Sequence, residues 1–133
     1  MSDGQPLRGL IDTDVLRAFR RGEADALAFF NNLAALGRHY ISQLSAMTLV
    51  ADAPDPGERA GLGMFFSWCD IHRVIAGVSR RAFQILERLT PPAPLTADDA
   101  IVAATAIEHR LPLYTLDTTR FAAVPGLTAV RPY

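Results

Sequence analysis

Lysine is absent from this 133-residue chain, cysteine occurs once, and the net charge is close to zero. Each shortage closes off a class of function. With Cys69 alone, no disulfide framework can form within the chain, which points to a reducing compartment, the cytoplasm. A formal charge of −1, from 13 basic and 14 acidic side chains, gives no global basic field to announce a nucleic-acid partner. The longest apolar stretches, Leu62–Cys69 and Ala100–Ile107, are too short or too interrupted to span a membrane. Residues 1–9 lack the basic start and apolar run of a signal peptide, so none is expected. Gly57, Gly61 and Gly63 make no phosphate loop, because no Lys-Ser/Thr follows them and no strand precedes them. Cys69 and His72 form a lone C-x-x-H without a second ligand pair, and His39, His72 and His109 show no paired spacing, so no zinc site is expected. Every basic side chain other than His is arginine, which grips phosphate bidentately where lysine offers a point charge. A GC-rich genome produces the same bias, so composition alone assigns no ligand.

Half of the residues are hydrophobic, enough for the core of one domain, taken as residues 1–133. Met1–Pro6 is polar and reads as frayed. Leu7–Ile11 reads as a short buried strand, with Asp14 placed to cap a helix through Arg20 that Gly22 breaks. Glu23–Leu36 carries Leu27, Phe29, Phe30, Leu33 and Leu36 at helical spacing, with Gly37 where a C-cap belongs. His39–Ile41 is a brief strand, and Ser42 or Ser45 then caps a helix through Val50. Residues 53–57 are turn-rich. Helix is expected over Glu58–Trp68, a short strand over Ile71–Val74, and helix again over Ile75–Leu89. The Pro-rich segment 90–94 cannot continue that helix. Thr96 with Asp99 resembles a capping box opening a helix to about Arg110. Leu113–Leu116 reads as a buried strand and Leu127–Val130 as an edge strand. Strands alternating with longer helices predict an α/β fold, a short parallel sheet flanked by helices on both faces.

Three acidic residues stand where buried strands or apolar helices meet loops. Asp12 follows Leu10-Ile11, Asp99 opens Ala100–Ala104, and Asp117 follows Leu113–Leu116. The carboxyl edge of an open α/β sheet is where ligands bind. Carboxylates gathered there repel one another unless a cation intervenes, and hard oxygen ligands suit Mg²⁺ or Mn²⁺. Each acid also has a plainer role: Asp14 as a helix cap, Asp98 and Asp99 as first-turn acids, Asp117 as a turn former.

Leu10-Ile11-Asp12-Thr13-Asp14-Val15-Leu16 resembles the opening strand-turn-helix of PIN-domain nucleases. Asp98-Asp99-Ala100-Ile101-Val102-Ala103-Ala104 resembles that family's third acidic motif. Leu113-Tyr114-Thr115-Leu116-Asp117-Thr118-Thr119-Arg120-Phe121 resembles the closing one. Size and motif order are similar to those of VapC-type toxins of bacterial toxin–antitoxin pairs. The resemblance implies a PIN-like fold and a metal-dependent endoribonuclease. It implies Asp12, Asp99 and Asp117 as catalytic metal ligands for Mg²⁺ or Mn²⁺, with Thr13, Asp14 and Thr115 supporting them. The products would carry a 5′-phosphate and a 3′-hydroxyl. RNA substrate, an antitoxin protein and a second copy of the chain are the implied partners, in the cytoplasm.

One position departs from the family. Its second motif carries Glu in a pattern like Ile-Ser-x-x-Thr-x-x-Glu-Leu, and on Ile41–Leu49 the Glu falls at Thr48. Asp52, four residues on and on the same helical face, is the candidate compensating acid. The alternatives are that three aspartates suffice for one ion, or that the chain is a catalytically weakened RNA-binding or protein-interaction module. An aspartate-nucleophile phosphatase fits the Asp12-Thr13-Asp14 spacing but requires a lysine that the chain lacks. Arg20, Arg21, Arg80 and Arg81 are candidates for phosphate contact or ordinary solvated side chains. Phe65, Phe66 and Trp68 read as core, or as a patch for a partner.

Overall fold

The structure is a computed structural model that describes residues 8–89 and 94–133. Among these, the chain runs β1 (Leu10–Ile11), α1 (Thr13–Arg20), α2 (Ala24–Leu36), β2 (His39–Ser42), α3 (Gln43–Asp52), α4 (Pro56–Phe66) and β3 (Cys69–His72). It continues α5 (Ala76–Arg88), α6 (Ala97–Glu108), β4 (Leu113–Tyr114), α7 (Thr118–Phe121) and β5 (Ala129–Val130). The five strands form one all-parallel sheet in the order β3-β2-β1-β4-β5.

Alternation along the central strand builds two cores. Leu10 points to one face, where it packs with Val78 and Ile85 of α5, Val102 of α6 and Phe121 of α7. Ile11 points to the other, against Val15 and Leu16 of α1, Phe30 and Leu33 of α2, and Leu49 of α3. A strand buried on both faces must be apolar at consecutive positions. Leu10, Ile11 and Leu113 are wholly buried, each side chain contributing roughly 1.5–3 kcal/mol of burial. The expected α/β sandwich with helices on both faces is the one observed.

β1 is central and its neighbours lie on opposite sides. Leu10 N–H donates to Pro112 O and Asp12 N–H to Tyr114 O, fixing β1 against β4. The chain moves outward from β1 through β2 to β3, then returns to β4 on the other flank. The carboxyl ends of β1 and β4 therefore sit at a topological switch point, where connections diverge and a crevice opens.

Several boundaries differ from the sequence expectation. β1 begins at Leu10; Leu7 and the polar start at Met1–Pro6 lie outside the described residues, as does the stretch 90–93 of the Pro-rich break. α1 is capped by Asp12 rather than Asp14, because Asp14 turns to β4 instead. α4 begins at Pro56, since Asp55 Oδ1 caps Glu58 N–H and Pro at the first helical position needs no donor. β3 starts at Cys69, two residues before the expected Ile71, because His39–Ser42 pair one-to-one with Cys69–His72. Gly37 does end α2, but in extended backbone (φ −156°) rather than the left-handed form. The short helix α7 was not anticipated; it exists because Asp117 caps it.

Candidate active site

Asp12 ends β1 and caps α1 at once: Oδ1 accepts the Thr13 N–H at 2.8 Å and Oδ2 the Thr115 hydroxyl at 2.8 Å. The side chain is buried. That burial, followed by the negative charge of Asp14, pushes its pKa up from 3.8 to about 6. The Thr115 hydroxyl, the Thr13 N–H and Arg120 act in the opposite direction. Ionised Asp12 is thus held at a cost that its surroundings offset only in part.

Asp14 lies one step along α1 and reaches across to β4. Its Oδ2 accepts Leu116 N–H at 3.0 Å and lies 3.3 Å from Thr115 Oγ1. Its Oδ1 is buried without a hydrogen-bond partner. Thr115 accepts the Asp117 N–H at 3.1 Å through the hydroxyl that it donates toward Asp12. Thr13 contributes through its backbone only, its hydroxyl pairing with Ser45 of α3 at 2.9 Å.

Asp99 arrives from α6. The capping box is complete: Thr96 Oγ1 accepts Asp99 N–H at 3.2 Å and Asp99 Oδ2 accepts Thr96 N–H at 3.0 Å. Capping the helix does not withdraw Asp99 from the cleft, since both of its oxygens also lie within 3.4 Å of Arg120 Nη1. Asp117 caps α7 through Oδ1, which accepts Arg120 N–H at 3.1 Å, and is half exposed.

One guanidinium joins the three acids. Arg120 Nη2 lies 3.7 Å from Asp12 Oδ2, Nη1 3.3 Å from Asp99 Oδ1, and Nε 3.7 Å from Asp117 Oδ2. Asp12, Asp99 and Arg120 line a cavity of about 230 Å³ together with Asp14, Arg17, Thr48 and Asp98, while Asp117 stands outside that lining and meets the cluster through Arg120. Among the described residues, no three His, Cys, Asp or Glu side chains stand as a ready-made metal cage; the arginine stands between them. The donor set nevertheless suits a hard divalent cation: carboxylates only, one with a buried unpartnered oxygen and one whose ionised form is poorly compensated.

Thr48 lines this cavity, but its hydroxyl donates to Leu44 O at 2.9 Å. Asp52 does not line it. The Asp52 carboxylate pairs with Arg17, at 3.0 Å from Nη2 and 3.2 Å from Nε, in a neighbouring cavity of about 260 Å³ shared with Arg20, Arg21 and Glu58. One turn of helix displaced Asp52 from the compensating position expected of it, and Arg17 already balances its charge. Arg17 borders both cavities.

The family model of the PIN domain matches residues 9–127. The chain belongs to the PIN domain family. No curated protein matches it, but solved structures do. A toxin–antitoxin complex from Klebsiella pneumoniae contains a chain 28% identical, with 94% of this chain and 98% of that one covered at a TM-score of 0.76. DNA-bound VapBC from Salmonella typhimurium is 20% identical, covering 96% and 99% at 0.80. FitAcB from Neisseria gonorrhoeae is 24% identical, covering 92% and 96% at 0.73. The last two likenesses show the fold.

In this PIN domain Arg120 and Arg17 stand among the carboxylates although neither was marked in the sequence for phosphate contact, while Arg20, Arg21, Arg80 and Arg81, which were, do not line that cavity. Arg20 and Arg21 flank the second cavity, and Arg21 pairs with Glu23 at 2.6 Å. Arg81 pairs with Glu108 on the α5–α6 side. The signal for Arg120 was available: three residues after Asp117 on a helical turn, a side chain returns to the same face. Burial, and then the charge of Asp70, pushes the Cys69 thiol up to about 12, which disfavours the thiolate that a nucleophile needs. His72 stacks on His109 with ring centroids 3.7 Å apart, an arrangement without metal-ligand geometry. Phe65 and Phe66 pack partly into the core, while Trp68 is largely exposed.

Proposed function

We propose that this PIN domain is a Mg²⁺- or Mn²⁺-dependent endoribonuclease and the toxin component of a type II toxin–antitoxin pair, acting in the cytoplasm. The observation that carries this reading is the meeting of Asp12, Asp99 and Asp117, from three separate segments, around one positive group at the carboxyl edge of the sheet. The likeness to a chain of a toxin–antitoxin complex supports the biological role.

Asp12, Asp99 and Asp117 would hold the cation. Bound there, it would supply a water of lowered pKa and charge stabilisation at the scissile phosphate. Thr115 fixes the Asp12 carboxylate by donating to Oδ2, leaving that oxygen one lone pair for the cleft. Asp14 ties α1 to the exit of β4, so the carboxylates keep their spacing. Arg17, on the rim between the two cavities, offers its guanidinium to a neighbouring RNA phosphate. The products of such hydrolysis are a 5′-phosphate and a 3′-hydroxyl.

Antitoxin binding and homodimerisation belong to the same reading. A mostly apolar cavity of about 520 Å³ lined by Met47, Val50, Phe66 and Ile71 supports a protein partner, and Met47 is 59% exposed. Among the described residues no helix is long and apolar enough to cross a membrane.

A second reading, a catalytically weakened binding module, is favoured by Thr48, whose neutral side chain borders the carboxylates and is committed to Leu44 O. Cleavage of structured RNA with added Mn²⁺, compared between the natural protein and Asp117→Asn, separates the two. Cleavage lost in the variant supports the enzyme. Equal cleavage by both proteins means contamination, and no cleavage by either favours the binding module.

A further inference from the structure

The arginine at the centre of the acidic cluster is more than a tie between elements. Its contacts with Asp12 and Asp117 are 3.7 Å and those with Asp99 3.3 and 3.4 Å. A charge-assisted pair at its optimum is about 2.7–2.9 Å, so the guanidinium is shared among three carboxylates without being locked to any. Its Nε is buried with no hydrogen-bond partner. The side chain remains 29% exposed and lies over the Phe121 ring at 5.1 Å. It is carried by the four-residue α7 at the rim of the cleft. A weakly held cation with an open exit is built to be exchanged.

We propose that Arg120 is an internal counter-ion that competes with the divalent cation for Asp12, Asp99 and Asp117, so that loading the site requires its guanidinium to leave the carboxylates. The inference rests on the cation-dependent reading above. Without an occupant the clustered carboxylates repel one another, and Arg120 relieves that repulsion in the resting protein. A divalent ion supplies twice the charge in a smaller volume and displaces it. Once displaced, the guanidinium stands at the mouth of the cavity, where a phosphate oxygen is its natural partner.

A purely structural ion pair would predict a different result, and Mn²⁺ calorimetry distinguishes the two. Arg120→Gln removes the competitor. Its Mn²⁺ affinity is expected to rise on the order of tenfold, the effect of one unit charge at a few ångströms in a half-open cleft. Its melting temperature without metal is expected to fall, and to recover further on Mn²⁺ addition than that of the natural protein. Arg120→Lys keeps the charge and is expected to keep the weaker affinity. Unchanged or reduced Mn²⁺ affinity in folded Arg120→Gln overturns the proposal, while a natural protein that still binds Mn²⁺ leaves the cation reading intact. If neither protein binds Mn²⁺, the cation reading itself fails and takes this inference with it.

The natural protein provides a measurement that needs no folded Gln variant. The Arg120 Nε–H resonance, assigned by its disappearance in Arg120→Lys, is expected to move as Mg²⁺ is titrated. A resonance that stays fixed at saturating Mg²⁺ also overturns the proposal.

Discussion

Thr115 Oγ1 donates a 2.8 Å hydrogen bond to Asp12 Oδ2, joining residues 103 positions apart in the chain. The bond is buried and charge-assisted, and the same hydroxyl accepts Asp117 N–H. One side chain on β4's exit therefore orients the acid on β1's exit and the acid that follows it. Thr115→Val keeps the shape but removes both roles. It is expected to destabilise the protein by roughly 1.5–3 kcal/mol in urea unfolding at pH 7, with Thr115→Ser recovering most of the loss. Equal midpoints for the valine variant and the natural protein would show that the bond contributes nothing.

Asp12 gives a pH dependence of determined sign. Its folded pKa of about 6 exceeds its ordinary 3.8, so between these values the folded state holds a proton that the unfolded state has released. Stability from this group is therefore full below about pH 4 and lost as pH rises through 6. Asp12→Asn removes that penalty and keeps one oxygen for the Thr13 N–H, while its amide N–H faces the Thr115 hydroxyl, which can turn its own proton to Asp14 Oδ2. At pH 7 the variant is expected to be more stable by on the order of 2 kcal/mol, with the advantage shrinking toward pH 4. It is also expected to lose Mn²⁺-dependent cleavage. A stability difference that grows on acidification would contradict the assignment.

Thr48 borders the carboxylates but binds only its own helix. If the absent acid limits cation binding, Thr48→Glu restores it. We expect tighter Mn²⁺ binding, by about tenfold for one added ligand charge, and faster RNA cleavage. The Asp52→Asn variant is expected to leave Mn²⁺ affinity nearly unchanged, because Asp52 faces Arg17 in the adjacent cavity. The reverse pattern, a large Asp52 effect and none for Thr48→Glu, would make Asp52 the compensating acid after all.

Gly9 precedes β1 where the Tyr114 ring crosses the backbone, and a methyl group there would collide with that ring. Tyr114 is itself wedged edge-on against Phe29, with centroids 5.1 Å apart. Gly9→Ala is expected to cost about 1–3 kcal/mol through forced repacking, read as a lowered thermal midpoint. Pairing it with Tyr114→Leu should recover part of the loss; a tolerant Gly9→Ala would mean that the ring has room to move.

Much of this architecture was written locally. Leu10-Ile11, apolar at consecutive positions before Asp12, fits a strand buried on both faces, and Thr96 with Asp99 closes a capping box within four residues, so both signals lie among neighbours along the chain. Boundaries shifted where a distant partner chose them. β3 took its start from pairing with β2, whereas α7 is a local feature, formed as Asp117 caps Arg120 N–H three residues on.

The sequence by itself set the positions of Asp12, Asp99 and Asp117 at element ends, because apolar periodicity and helix capping act over a few residues. Tertiary structure decided which of those acids share a cavity and which basic group lies among them. Asp14 left the cap position to bind β4, Asp52 turned to Arg17, and Arg120 moved into the acidic centre. Charges interact through space rather than along the chain, so the pairing of β1 beside β4 and the packing of α1 on α3 and of α7 near α6 determined those partnerships.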